Sequence, residues 1–310
     1  MGYGVTTSSK TVLTQGDIVC GKWNKRSYRI ERLLGEGANG KVFLVGAGGR
    51  HFALKFGFDA VDLQMEVNVL RELDQKTGDP FLYDADDVVL NGMQYPFYVM
   101  RYVKGVPPEP YIRSNGSDWF YLIGLNLLRK LHALHRLGYG FGDLKSDNVL
   151  VSGYGEVELV DYGGVTARGR SVRQFTELYD CGFWNAGDRV AGDSYDLFGF
   201  AVFCLQIGGM GNRLQEISKE LPQSRSKEDL LKLIDFCPKC KPVARILKKA
   251  VTGRYRSSAE AAAEWEQAMN KPGPIMDPRR RKQSSGWIPA AFLGSIGLFV
   301  SVLYMFFFKG

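Results

Sequence analysis

The chain has 310 residues with 45% hydrophobic content, enough for one large domain or two ordinary ones and too apolar for a disordered or fibrous protein. Forty Lys and Arg against 33 Asp and Glu leave a net charge of +7, which favours anionic partners (nucleotides, nucleic acid, acidic lipid) without choosing among them. Five scattered cysteines do not make the framework of a disulfide-stapled secreted domain, and no charged-then-apolar signal opens the sequence, so an exported domain is not expected.

In chain order, residues 1–27 read as an extension, and Tyr28 to Phe56 holds short β-branched and aromatic runs broken by glycine clusters, the pattern of consecutive antiparallel strands. Ala60 to Leu73 places Val61, Met65, Val69 and Leu73 at helical spacing, and Pro96 to Val103 is again a strand pattern. Helical periodicity returns over Trp119–Leu137, Tyr195–Ile207 and Ser258–Met269, the last with Ser257 and Ser258 as candidate caps; between Tyr139 and Asp161 short strands alternate with polar turns. A β-rich first third and a mostly helical remainder predict two lobes with a ligand cleft between them. Residues 271–286 are rich in Pro, Gly, Ser and Arg and read as a basic linker. From Trp287 to Phe308 the chain is apolar and uncharged, long enough to cross about 30 Å of hydrocarbon as a helix. Arg279, Arg280, Arg281 and Lys282 precede that span and only Lys309 follows it. The positive-inside bias then predicts a single-pass anchor in the cell membrane, the folded region in the cytoplasm and residues 309–310 outside.

Four motifs carry chemistry. Gly35-Glu-Gly37-Ala-Asn-Gly40-Lys-Val42 sits between two strand patterns, where glycine lets backbone N–H groups approach phosphate oxygens. A dinucleotide-type loop would open a helix, whereas this one runs into a strand. Ala53-Leu-Lys55 lies one strand later and Glu66 on the next helix, so that an ion pair could aim Lys55 at phosphates. Gly142-Asp143-Leu-Lys145-Ser-Asp-Asn148 and Val160-Asp161-Tyr-Gly163 then supply a base (Asp143), a cation for a γ-phosphate (Lys145) and two metal-ligand side chains (Asn148, Asp161).

Together these motifs resemble those of the bacterial Hanks-type serine/threonine protein kinases over about Tyr28–Met269 and, more narrowly, the sporulation-associated, membrane-anchored kinases of bacilli. The resemblance implies an α+β, bilobal protein-kinase-like fold, with a small β-rich lobe and a larger helical one over residues 28–270. It implies ATP with Mg²⁺ or Mn²⁺, and protein substrates bearing Ser or Thr. Tyr98 to Gly105 is similar to the family's hinge, which puts Met100 at the gatekeeper position and the backbone of Arg101, Tyr102 and Val103 toward adenine. Leu134-His135 makes His135 structural, and Asp196 resembles the aspartate that braces the catalytic loop. Autophosphorylation is expected, with Thr166, Ser171, Thr176, Ser284 and Ser285 as candidates.

Phe141-Gly142 stands where the family has His-Arg, Tyr162 replaces the phenylalanine after the metal-binding aspartate, and no Ala-Pro-Glu lies between Asp161 and Asp196. The arginine that clamps a phosphorylated activation loop is thus missing, and a Glu partner for Arg254 is not evident. Two other readings stay open: a small-molecule kinase of the aminoglycoside or sugar type, and a tethered pseudokinase scaffold. No acidic residue lies between Asp235 and Glu260, and helical spacing puts Arg245, Lys248 and Lys249 on one face, a candidate surface for DNA or anionic lipid. The bacillar resemblance implies DNA as an activating partner. Cys237-Pro-Lys-Cys240 has the spacing of half a zinc knuckle, without a second pair to complete it.

Overall fold

The structure is a computed structural model that describes residues 13–37 and 40–270. The expected linker, the apolar span 287–308, Ser284 and Ser285 lie outside these residues. The amino-terminal lobe is an antiparallel sheet of β1 (Ile18–Cys20), β2 (Ser27–Gly37), β3 (Gly40–Ala47), β4 (Arg50–Gly57), β5 (Leu82–Leu90) and β6 (Met93–Arg101), in the order β1-β2-β3-β4-β6-β5. Its β5–β6 hairpin closes on Asn91-Gly92, both at positive φ (51° and 78°), which suits the two-residue turn whose twist matches the strands.

Strands β4 and β6 alternate in register. Phe52, Leu54 and Phe56 with Phe97 and Val99 fill the outer core. Ala53, Tyr98 and Met100 face the other way, onto α1 (Ala60–Thr77). The sheet starts earlier than the sequence suggests: Gly16 N–H donates to Ile30 O and Lys22 N–H to Asp87 O, so residues before Tyr28 belong to the lobe. Strand β5 escapes sequence reading because it carries three aspartates, a residue strands disfavour. Here they bind the turn after β1: Asp86 accepts the Trp23 and Asn24 N–H groups, and Asp84 accepts Asn24 Nδ2 and the Tyr28 hydroxyl.

Helix α1 starts at Asp59, whose carboxylate caps the Val61 and Asp62 N–H groups, and stops at Gly78. Its buried stripe is Leu63, Glu66, Val67, Leu70 and Leu73. The predicted stripe began on Val61, which is 66% exposed; the apolar face is rotated about the axis, and this rotation carries Glu66 inward.

The carboxy-terminal lobe comprises α2 (Pro108–Asn115), α3 (Trp119–Arg136), the short strands β7 (Tyr139–Gly140), β8 (Val149–Val151), β9 (Val157–Leu159) and β10 (Thr166–Ala167), then α4 (Asp193–Leu205), α5 (Gly211–Ser218), α6 (Lys227–Phe236), α7 (Ala244–Val251) and α8 (Ser258–Asn270). Trp265 of α8 is fully buried against Phe120 and Phe200 and donates to Tyr121 O. Among the described residues one helical run, Asp193–Ser218, is long and apolar enough to cross a membrane, and it is the mostly buried centre of this lobe. Ser257 caps α8 by accepting the Glu260 N–H, while the Ser258 hydroxyl turns inward to Asp193.

Candidate active site

The strand alternation that buries Leu54 points Lys55 to the α1 side, where it is 6% exposed. Lys55 Nζ lies 2.8 Å from Glu66 Oε2 and 2.7 Å from Asp161 Oδ1, so one ammonium bridges the small lobe's helix and the large lobe's loop. Burial is the largest influence on each of the three groups. At Lys55 the two carboxylates outweigh it and raise the ammonium above its ordinary value. At Asp161 the Lys55 charge and hydrogen bond, with the Gly163 N–H, hold the carboxyl below its ordinary value. At Glu66 burial prevails and the carboxyl is raised.

Tyr98, fully buried beside them, donates its hydroxyl to Glu66 Oε1 at 2.7 Å. Sequence reading passes over this tyrosine because an inward residue in an apolar strand looks like core. The signal is its register, directly opposite Lys55 on β4.

Asp161 has φ 63° and ψ 86°, left-handed for a non-glycine residue, a strained conformation of the kind that clusters at functional sites. Its neighbour Tyr162 packs on Phe81 and edge-on to Phe141, so the unusual Phe141 and Tyr162 form one aromatic contact across the two loops. Gly142 has φ 80°, and a Cβ there would lie 2.5 Å from Gly164 O. The two loops meet backbone to backbone at the position where the family has arginine.

Asp143 is 8% exposed and fully partnered. Its Oδ2 meets Lys145 Nζ at 2.7 Å, its Oδ1 accepts the Thr176 hydroxyl at 2.8 Å, and Asn148 Nδ2 donates to its backbone oxygen at 2.8 Å. Asp196, buried in α4, accepts the Phe141 and Gly142 N–H groups at 2.6 and 2.9 Å and holds His135 Nε2 at 2.8 Å. These bonds fix the catalytic loop to the central helix.

With its amide nitrogen engaged, Asn148 presents Oδ1, and Asp161 retains Oδ2. Two hard oxygens of this kind, completed by phosphate oxygens, fit Mg²⁺ or Mn²⁺, ions that take few protein ligands. Around the cleft, Gly35 and Gly37 lie at the end of β2 with nothing within 4 Å of a Cβ built on them, and Gly40 heads β3 opposite Gly37. Val42, Ala53, Met100 and Val103 line one apolar cluster on the inner face of the sheet. The Arg101 N–H donates to Phe81 O, so at that residue the backbone group that could meet adenine is the carbonyl.

The structure separates the phosphorylation candidates. Thr166 is 2% exposed and bonded to Gly164 O, Thr176 is held on Asp143, and Ser171 is exposed. A phosphate on Thr176 would set its charge against the Asp143 carboxylate, so this residue is better suited to position the loop than to accept phosphate. Thr176→Val is expected to lower kcat by roughly tenfold to a hundredfold with little change in the KM for ATP. Steady-state kinetics with a protein acceptor check this, and unchanged kcat would show the contact to be idle.

The basic surface also differs from expectation. Lys248 pairs with Asp235 at 2.6 Å, and Lys249 pairs with Glu260 and Glu264. The acids come from α6 and α8, outside the sequence window that looked free of them. Arg245, Lys248, Lys249 and Arg254 do line one groove of about 740 Å³, with Arg245 and Arg254 exposed.

A β-rich lobe and a helical lobe joined through a buried Lys–Glu pair that reaches the half-exposed Asp161, over a loop carrying Asp, Lys and Asn, define the protein-kinase class. The chain belongs to the bacterial Hanks-type serine/threonine protein kinases. It is 34% identical over 299 residues to the serine/threonine-protein kinase YabT of Bacillus subtilis (strain 168), covering 91% of this chain and 86% of that one. It is 26% identical over 282 residues to the serine/threonine-protein kinase CLA4 of Candida albicans, where the match covers 81% of this chain and 27% of that longer protein. Vaccinia related kinase 3 shares the fold, with a TM-score of 0.56 at 17% identity over 85% of this chain and 93% of that one. No protein-family model matches the chain.

Proposed function

We propose that this serine/threonine kinase transfers the γ-phosphate of ATP to Ser and Thr hydroxyls of proteins, itself included, through the residues assembled around Asp143. The observation that carries this reading is the simultaneous contact of Lys55 with Glu66 and Asp161: the Lys–Glu pair is one that protein-kinase phosphoryl transfer needs in place, and it sets the aspartate beside the lysine that positions phosphates. Asp143 takes the proton of the acceptor hydroxyl as its oxygen attacks phosphorus, and Thr176 and Asn148 keep that carboxylate in place. Lys145, 2.7 Å from Asp143, balances charge on the phosphoryl group in transit. Lys55 positions the α- and β-phosphates, and the glycine loop offers its backbone N–H groups to the phosphates. Asn148 Oδ1 and Asp161 Oδ2 would hold Mg²⁺ or Mn²⁺, which when bound neutralises phosphate oxygens.

The apolar span 287–308, preceded by four consecutive basic residues, anchors the kinase to the cell membrane with the catalytic lobes in the cytoplasm. The test is to incubate the full chain and residues 1–270 with labelled ATP, Mg²⁺ and a generic protein acceptor, and to fractionate both on membranes. Label on acceptor Ser or Thr, with only the full chain in the membrane fraction, is expected. Label confined to aminoglycoside or sugar hydroxyls would favour small-molecule chemistry, and ATP binding without transfer would leave a scaffold. A 1–270 fragment that stays with membranes would place the anchor elsewhere.

The groove between α6 and α7 is the proposed surface for a polyanion, DNA being favoured over anionic lipid by the bacillar resemblance. Arg245 and Arg254 lead there, and Lys248 and Lys249 join only by giving up their acidic partners. Binding to duplex DNA should therefore weaken steeply with salt and show little sequence preference. Arg245→Glu with Arg254→Glu should abolish it. Binding that survives this double change excludes the groove, and kinase activity unmoved at saturating DNA excludes regulation.

A further inference from the structure

Cys237 and Cys240 take no part in the site described above. Among the described residues no group of three or more His, Cys, Asp or Glu side chains converges to hold a metal, so this pair has no further ligands around it. The chain from Cys237 to Cys240 is a turn: the Cys240 N–H donates to Cys237 O at 3.1 Å, with Pro238 in the second position. Such a turn holds its first and fourth Cα atoms within about 7 Å, overlapping the roughly 4.4–6.8 Å that a disulfide spans. The side chains converge as well. A Cβ built on Gly208 would lie 2.8 Å from Cys237 Sγ and 3.3 Å from Cys240 Sγ, so both sulfurs face the same point beside that glycine; the Cys237 thiol lies 3.9 Å from Gly208 O and the Cys240 thiol 3.9 Å from Cys204 O. Both cysteines are fully buried, while their chain neighbours lie at the surface: Phe236 is 74% exposed, and Pro238 and Lys241 are exposed. A small reagent therefore reaches the pair only through local opening of this surface turn, an event short of unfolding the lobe.

We propose that Cys237 and Cys240 are a redox modification site, forming a reversible intrachain disulfide on reaction with a hydroperoxide. The Cys237 thiolate attacks the peroxide and the O–O bond breaks. The alcohol leaves with a proton from solvent, and Cys237 becomes a sulfenic acid. The Cys240 sulfur then attacks the Cys237 sulfur, and the sulfenic oxygen departs as water with the Cys240 proton. Two thiols are oxidised by two electrons while the peroxide is reduced to alcohol and water.

The two thiols are suited to different steps. The adjoining Cys240 thiol, helped by the N–H groups of Cys240 and Lys239 and by the Lys239 charge, brings Cys237 below the ordinary thiol value against the effect of burial. The same pairing, with burial, pushes Cys240 up, so it keeps its proton as the resolving thiol. The other titratable groups facing the pair are Cys204 on α4, which burial pushes well up, and Tyr121 on α3, raised to about 12 by burial, whose hydroxyl donates to Lys239 O at 3.0 Å. Neither supplies a competing nucleophile near neutral pH.

The experiment treats the full chain with tert-butyl hydroperoxide, alkylates it in denaturant and digests it. The peptide across 237–240 should lose two hydrogens, escape alkylation and regain both on treatment with dithiothreitol. The rate should rise with pH through the neutral range as the thiolate fraction of Cys237 grows, its thiol being held below the ordinary value. Cys240→Ala should stop the reaction at a Cys237 sulfenic acid that dimedone traps. A peptide that stays fully alkylated while exposed Cys20 is oxidised would overturn the proposal, and so would a rate that does not change with pH. The wild-type masses decide the matter even if the variant does not fold.

Discussion

Lys55→Ala and Asp161→Asn are each expected to lower kcat/KM for phosphoryl transfer by about 10²–10³-fold or more, with the fold retained. Lys55→Ala removes the ammonium that bridges Glu66 and Asp161. The carboxyl left behind does not unfold the lobe: burial already raises Glu66, so losing its cation lets it take a proton and keep the Tyr98 hydrogen bond. Asp161→Asn is nearly isosteric, and asparagine tolerates the left-handed conformation at φ 63°. It keeps an oxygen for the Gly163 N–H and loses the charge that a divalent cation needs. Thermal midpoints close to wild type combined with lost turnover would mark both losses as chemical. Turnover within a few-fold of wild type in either variant would sink the assignment of that residue.

Much of this site is legible in the sequence because kinase chemistry restricts residue types at fixed positions along short local motifs. Lys55, Glu66, Asp143, Lys145, Asn148 and Asp161 stand in strand, helix and loop settings that periodicity alone indicates. What stays hidden depends on contacts between segments far apart in sequence. The Tyr98 hydroxyl is one, since only the β4–β6 register puts it beside Lys55 and Glu66. The ion pairs of Lys248 and Lys249 are another, because their acids lie on α6 and α8. The true start of the small lobe is a third, fixed by aspartates on β5 that bind a turn about 60 residues earlier. Strand β5 and that turn each look like loop when read alone, and they become structure only together.

The missing Ala-Pro-Glu segment is the place where sequence reading leaves the substrate platform without support, and the structure supplies a replacement. Asp180 is completely buried and accepts four hydrogen bonds: from Phe183 N at 2.9 Å, Arg189 Nε at 2.8 Å, Arg189 Nη2 at 2.7 Å and the Tyr195 hydroxyl at 2.9 Å. Tyr195 belongs to α4, the helix whose Asp196 braces the catalytic loop, so Asp180 ties the segment following Thr176 to the rigid centre of the lobe. Asp180→Ala would strand a buried N–H and a buried hydroxyl and release Arg189. The stability loss should be about 3 kcal/mol, or roughly 6–12 °C in Tm for a domain of this size. Because Thr176 sits four residues away on the same segment, kcat toward a protein acceptor should fall with it. ATP affinity should hold, since Lys55, Glu66 and the hinge belong to the other lobe. Asp180→Asn, which keeps the shape and one acceptor oxygen, should lie between the two. Calorimetry and acceptor kinetics on both variants check this, and an Asp180→Ala protein that melts with wild type and phosphorylates its acceptor normally would show that the platform rests on something else.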